Sequence, residues 1–322
     1  MSDYQSVSRR SGQHGDTVIT TFNLYNLFPV AASPEEYVGG AATAEALETQ
    51  LCKLALAIQH ELALPEVMVV QEVADEGLLQ ALADRVNAAA DTRYRAAAPP
   101  TSDRRGIRVG FVWDEARVAL TELYQLVGPE VAAAFGADSA NPGREPLVGV
   151  FGLHGRSMTI VANHFKSNYI PDELADAELA LRQANAGQRQ VQARVVRQFA
   201  NEVLAADPAA LLMVAGDLNT DLPQTPDPMH PLRVLAGVPG EVPLRNLVNR
   251  VGGTAVYTFK WDTGPAVLDH MLVSPRLWEL VTAVNILHFN VDYPPDLAAD
   301  PMTACRSSDH DPLEVQFRLH ET

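Results

Sequence analysis

The run from Leu211 to Asp221, Leu-Leu-Met-Val-Ala-Gly-Asp-Leu-Asn-Thr-Asp, constrains the fold more than any other stretch. Its first five residues are apolar without alternation, which is the pattern of a strand buried on both faces. Gly216 lets the backbone turn or approach a neighbour closely. Asp217 and Asn219 stand two apart, so at an extended strand end they project from the same side. A carboxylate beside an amide there suits a hard cation and a phosphate oxygen. The plainer reading is a turn, in which both side chains bond local backbone. The rest of the chain has to decide between the two.

The chain has 322 residues, 47% of them hydrophobic, enough to bury a sizeable core. Its net charge is −16, with 40 acidic against 24 basic residues. A protein held to DNA by phosphate neutralisation carries a basic face, so tight non-specific nucleic-acid binding is not expected. A local basic cleft or a bound dication remains compatible with that charge. Lys53, Lys166 and Lys260 are the lysines among the 24 basic residues, so a Lys inside a motif is informative. Cys52 and Cys305 have no neighbours at zinc-ligand spacing, and two reduced thiols are expected. The polar N-terminus lacks an apolar core of the signal-peptide kind, and no apolar run is long enough for a membrane span. A cytoplasmic protein is the expectation.

Residues 1–16 read as a disordered tail and residues 17–322 as one domain. Thr17 to Leu27 alternates as a strand that runs into a loop, with Asn23 near its end. Ala42 to Leu64 is helical and is ended by Pro65. Val67 to Val70 is a buried strand followed at once by Gln71 and Glu72. A carboxylate in that place is costly unless it is paired, metal-bound or already in solvent. Asp75 to Ala89 is the next helix. Arg104, Arg105 and Arg108 stand at the entrance of a strand that ends at Trp113, either as a solvated edge or as a phosphate-facing patch. Val118 to Val127 reads as a strand, and 131–144 reads as irregular. Strands over 147–153 and 158–162 follow, the second running into Asn163-His164-Phe165-Lys166. Glu173 to Ala206 gives one or two helices with a solvated face of Arg182, Arg189 and Arg194. The Pro-rich stretch 223–243 reads as a surface loop. Two strands, 255–259 and 266–273, are expected to be joined by a Gly-Pro turn, with Asp269 buried inside the second. Residues 277–286 give another strand, 292–305 a loop, and Ser308-Asp309-His310-Asp311-Pro312 precedes the last strand.

Asn23, Glu72, His164, Asp217, Asn219, Asp269, Asp309 and His310 therefore follow or interrupt apolar strands. That inventory fits metal-assisted phosphodiester hydrolysis. Carboxylates hold a hard dication, which polarises a phosphoryl oxygen and stabilises the leaving alkoxide. A His serves as general base, oriented by a buried Asp. Amides and a second His hydrogen-bond the developing charge.

The same ordered set resembles the endonuclease/exonuclease/phosphatase superfamily, the DNase-I-like proteins, over residues 17–319. The segments TFNLYNLF, VVQEV, RGIRVGF and NHFKSN look most like its bacterial nuclease-like branch. The resemblance implies an α+β fold, a four-layer α/β/β/α sandwich of two mostly antiparallel sheets flanked by helices. It implies Glu72 as principal metal ligand, with Asn23 beside it and Asp309 binding directly or through water. His310 becomes the general base, Asp269 its orienter, and Asp217 the group that positions the attacking water or assists the leaving oxygen. Asn219 and His164 hold the scissile phosphate, and Arg105 and Lys166 are weaker phosphate contacts. The implied cofactor is Mg²⁺ or Mn²⁺, with Ca²⁺ as a third option. The implied partner is DNA or another phosphodiester, acted on by a monomer. No mid-chain Tyr matches that of the apurinic endonucleases, and no aromatic hairpin marks a lipid-binding branch. A phosphoesterase acting on a small-molecule or lipid phosphate is the rival reading, and a catalytically dead binding module is a further one.

Overall fold

The computed structural model describes residues 16–30, 41–136, 139, 142–170 and 172–319. Of the expected tail only Asp16 falls among them, and it is tied down, accepting a hydrogen bond from Thr282 Oγ1 at 2.7 Å.

In chain order the elements are β1 (Thr17–Leu27), α1 (Ala44–Leu56), β2 (Val67–Val73), α2 (Glu76–Ala89), β3 (Tyr94–Ala97), β4 (Arg108–Asp114) and β5 (Ala119–Gln125). Then come α3 (Pro129–Ala134), β6 (Leu147–Leu153), β7 (Arg156–His164), α4 (Glu178–Ala206), β8 (Leu211–Asp217), α5 (Pro231–Ala236) and β9 (Arg245–Asn246). The chain closes with β10 (Phe259–Trp261), β11 (Gly264–Ala266), β12 (Asp269–Val273), α6 (Pro275–Glu279), β13 (Val281–Ile286) and β14 (Leu313–Phe317).

Two six-stranded sheets form, in the orders β13-β14-β1-β2-β4-β3 and β5-β6-β7-β8-β12-β9. Both are mixed. β1 runs parallel to β2 and β7 parallel to β8, while the remaining pairs are antiparallel. The last long strand, β14, is inserted between β13 and β1 rather than added at an edge.

Strand alternation explains the four layers. Ile19, Val67, Val69, Val109 and Phe111 of the first sheet meet Ile160, Met213, Met271 and Val273 of the second in one buried cluster. The intervening residues face outward. Phe22, Leu24, Met68 and Val70 pack on Leu54 of α1 and Leu82 of α2. Val161, Leu212 and Val214 pack on Val196 and Ala200 of α4. Because both faces of each sheet are covered at its centre, the central strands read as unbroken apolar runs. Helix starts follow local chemistry, as where Asp75 Oδ1 accepts from Leu78 N–H at 2.8 Å and caps α2.

Several expectations need correction. The first helix ends in a π-helical turn, Ala57–Glu61, before Pro65. Residues 131–144 begin with the end of α3, the Pro-rich loop contains α5, and 277–286 divides into α6 and β13. These helices have five or six residues, too few to show a 3.6-residue period. Gly264 and Pro265 belong to β11 itself, whose hairpin with β10 turns at Asp262-Thr263. The strand containing Asp269 pairs instead with β8 and β9 in the second sheet. α4 runs through Gly187 unbroken. Both Cys52 and Cys305 are free thiols. Among the described residues, no helix is long and apolar enough to cross a membrane.

One buried cation braces the segment between β13 and β14. Lys53 of α1 is 1% exposed. Its Nζ donates to the carbonyls of Leu297, Asp300, Thr303 and Cys305 at 2.7–3.0 Å. Burial holds this ammonium below its usual range, while the Asp300 carboxylate opposes that shift.

Candidate active site

The alternation that builds the core also aims the site. His164 continues the inward row of Met158, Ile160 and Ala162, Asp217 that of Met213 and Ala215, and Asp269 precedes Met271 and Val273. Asn23 lies two residues beyond Thr21 on the row that starts with Ile19. Register places His164 opposite Asp217, and Asp217 opposite Asp269. All four side chains therefore emerge between the sheets at one end of the sandwich.

Glu72 breaks the row. By alternation it belongs with Met68 and Val70, facing the helices. Its φ of +62° and the register slip between Gln71 and Val73 reverse the order. Val73 takes the helix-facing place. Glu72 turns into the site, with Oε1 3.9 Å from His164 Nε2. Its Oε2 accepts from Asn26 N–H at 2.9 Å. Tyr25 and Asn26 are also left-handed, at φ +54° and +49°, where β1 bulges beside it. Such conformations are costly for residues other than Gly and are held in place by the surrounding structure.

Asp217 divides its two oxygens. Oδ1 accepts from Asn219 N–H at 2.8 Å, the local turn bond of the plainer reading. Oδ2 receives Asn23 Nδ2 at 3.3 Å and lies 3.4 Å from His164 Nε2 and 4.0 Å from His310 Nε2. Asn219 is not extended. It has φ +47°, and its Nδ2 donates to Phe165 O at 3.3 Å, so the expected shared projection with Asp217 is corrected, although Asn219 still lines the cleft. Gly216 has φ +136°, and a Cβ there would sit 2.0 Å from Asn163 O. Any side chain at this position forces β7 and β8 apart just where His164 and Asp217 face each other.

His310 donates from Nδ1 to Asp269 Oδ2 at 2.7 Å and packs on the Phe259 ring at 4.8 Å between centroids. Burial disfavours its charge, but Asp269, then Asp309 and Asp217, raise its pKa well above the usual value. Burial, followed by the Arg144 charge, holds His164 well below its usual value and therefore neutral. Burial also pushes Asp217 up to about 7 and Asp309 up to about 6; His310 opposes both shifts, and Glu72 adds to them. Asp309 Oδ1 is buried and has no hydrogen-bond partner among the described residues.

Glu72, His164, Asp217, Asn219, Asp309 and His310 line one cavity of about 720 Å³, together with Arg105, Arg144, Lys166 and Trp261. Arg105 donates to Asn26 Oδ1 at 2.8 Å. Of the expected Arg patch it alone lines this cleft. Arg104 is exposed, and Arg108 donates to Ala98 O at 2.9 Å. Arg189, expected on a solvated face, is buried and donates to Lys166 O at 3.0 Å. His270 faces away from the site, with Nε2 2.7 Å from Thr220 O and Nδ1 2.9 Å from Asn246 Nδ2. Sequence reasoning missed Arg144, Asp103 and Phe259. Phe259 opens a hairpin strand with Trp261 two residues on, an aromatic alternation that could have flagged it. Arg144 follows a segment without periodicity and gave no such signal.

Oxygen donors dominate here, and carboxylates buried together resist ionisation unless a cation joins them. That chemistry fits a hard dication near Glu72, Asn23 and Asp309. Among the described residues, no three His, Cys, Asp or Glu side chains form a ready-made cage.

No curated protein sequence matches the chain. Solved structures share its fold at low identity. An endonuclease/exonuclease/phosphatase from Bacteroides vulgatus aligns with TM-score 0.61 and 15% identity, over 95% of this chain and 99% of that one. A Bacteroides thetaiotaomicron mannosyl-6-phosphatase aligns at 0.59 and 14%, over 93% and 98%. D. rerio TDP2 in complex with a single-strand DNA product aligns at 0.59 and 16%, over 94% and 98%. Together with the layers above, these establish the DNase-I-like α/β/β/α sandwich. The model of the Endonuclease/Exonuclease/phosphatase family matches residues 18–288, and each activity in that name is a hydrolysis of phosphoester bonds. By that match over most of its length, the chain belongs to the endonuclease/exonuclease/phosphatase family.

Proposed function

We propose that the protein is a divalent-metal-dependent phosphodiester hydrolase, with DNA as its foremost substrate class. The observation that carries this reading is the Asp269–His310 pair at 2.7 Å, with His310 Nε2 turned toward Asp217 at the end of the sandwich. Asp269 fixes the ring so that Nδ1 keeps its proton; a dication beside the carboxylates that raise the His310 pKa would oppose that shift and leave Nε2 free to take a proton from the attacking water. Asp217 Oδ2, between the two His residues, orients that water or the leaving oxygen. His164 stays neutral and donates a hydrogen bond to the scissile phosphate, and the remaining Asn219 Nδ2–H adds another. Glu72, Asn23 and Asp309 would hold Mg²⁺ or Mn²⁺, which would supply a Lewis acid to polarise a phosphoryl oxygen and stabilise the leaving alkoxide. The rival reading, a phosphatase acting on a small molecule, draws on the net charge of −16. A panel with Mg²⁺ or Mn²⁺ against EDTA separates the two. It contains supercoiled plasmid, single-stranded DNA, RNA, a chromogenic diester, inositol phosphates and hexose phosphates. EDTA-sensitive cleavage of DNA is the expected result. Turnover of monoesters alone moves the assignment to the phosphatase, and no turnover with either metal removes the hydrolase reading.

A further inference from the structure

Arg144 stands just before β6 and is 7% exposed. A guanidinium is permanently charged and carries five N–H donors. Here its contacts are poor. Nε lies 3.5 Å from Asp103 Oδ2, and Nη2 lies 3.4 Å from His164 Nε2. Nε has no hydrogen-bond partner among the described residues. Asp103 is already engaged, since its Oδ1 accepts from Arg105 N–H at 2.9 Å and Ile107 N–H at 3.3 Å. A buried cation so weakly paired is costly unless a further anion meets it.

Its surroundings deepen the deficit. Lys166 and Arg105 line the same cavity. Burial, then the Arg144, Arg189 and Arg105 charges, keep the Lys166 ammonium below its usual range, with Asp103 as the opposing carboxylate. Arg189 holds Lys166 O at 3.0 Å and keeps this strand-end loop in place. One phosphodiester brings a single negative charge, and in the hydrolase reading His164, Asn219 and a dication would serve its oxygens. The three cations beyond His164 exceed what that linkage requires.

We infer that Arg144, with Lys166 and Arg105 beside it, forms a second anion subsite for a phosphate group adjoining the scissile one. The preferred substrate then carries at least two phosphates. This rests on the hydrolase reading for its meaning, but the subsite can be measured without turnover.

Calorimetry on the full chain in EDTA, with inorganic phosphate and then pyrophosphate as titrants, reads the subsite directly. Wild type binds pyrophosphate, Arg144→Gln weakens it at least tenfold, and Lys166→Gln weakens it less. Arg194→Gln, on the exposed side of α4, leaves it unchanged and controls for lost charge. Absence of binding by wild type overturns the inference, as does equal binding by Arg144→Gln. If Arg144→Gln does not fold, unchanged binding by both Arg144→Lys and Lys166→Gln overturns it. Kinetics supply the second arm, with Mn²⁺, a thymidine dinucleotide with and without a 5′-phosphate, and a hexose bisphosphate against its monophosphate. The added phosphate should raise kcat/KM at least tenfold in one of these pairs, which names the source. Arg144→Gln should collapse that ratio. Hydrolysis indifferent to the added phosphate overturns the subsite and leaves the hydrolase reading standing. Pyrophosphate binding that depends on Arg144, with no substrate cleaved, does the reverse.

Discussion

Beneath α1, Lys53 shares its ammonium among four backbone carbonyls at 2.7–3.0 Å, whereas at the cleft Arg144, also buried, has no polar partner nearer than 3.4 Å among the described residues. Both side chains are long and cationic, and both are removed from water. The first region is saturated, since three N–H donors meet four acceptors and the loop between β13 and β14 is braced as a result. The second is starved, with five donors and one distant carboxylate. Folding alone accounts for the saturated cation, because buried polar groups are ordinarily satisfied. A starved one is a stability cost retained at sites that bind something. The same division separates His288, whose ring nitrogens both find acceptors, from His164, whose Nδ1 finds none.

Three measurements sharpen or break this contrast. The largest effect belongs to the starved region and is read in rate. His310→Gln should lower kcat/KM by about 10²- to 10⁴-fold. Asp269→Asn should reproduce much of that loss, and the double mutant should fall far short of the product. Losses that multiply would mean that the pair does not act as a unit.

Next comes a contrast in stability. Lys53→Met leaves buried carbonyls without a donor and should cost about 3 kcal/mol in urea unfolding. Arg144→Gln should cost less than about 1 kcal/mol, or raise stability. The opposite order breaks the comparison outright.

The smallest effect is a pH slope. Asp311 Oδ2 at 2.7 Å and Ala255 O at 3.0 Å both accept from His288. The Asp311 hydrogen bond, against burial, raises its pKa above the usual 6.5. A raised histidine contributes stability that is fully present below its unfolded value and is lost as pH rises through the folded one. His288 therefore contributes a fall in thermal midpoint as pH rises above about 6.5, in the same direction as His310, and His288→Gln should remove its share of that slope. An unchanged slope in the variant would remove His288 as its source.

What the sequence made legible follows the apolar strands. His164, Asp217 and Asp269 end or begin apolar runs, so the sequence places them at strand ends, but runs buried on both faces hide the period of two, and their convergence rests on strand register. Glu72 could be nominated but not aimed, because the left-handed bulge that turns it inward leaves no mark in the residue pattern. Arg189 was misjudged, since a polar helix face looks the same whether it meets water or a carbonyl such as Lys166 O. Arg144 was invisible because its place depends on tertiary packing after an aperiodic segment. Residues 1–15 lie outside the described part of the chain, and the tail expected there stays an expectation.

The position of β14 bears on when the protein becomes competent. β14 lies between β1 and β13, and Ser308 Oγ just before it donates to Asn23 O at 2.7 Å, across 285 residues of sequence. A nascent chain that has emerged as far as α4 already contains Glu72 and His164, but lacks Asp269, His310 and the strand that flanks β1 on the side away from β2. Closing so long a loop is slow relative to local hairpins. A fragment that ends at α4 therefore holds neither member of the Asp269–His310 pair.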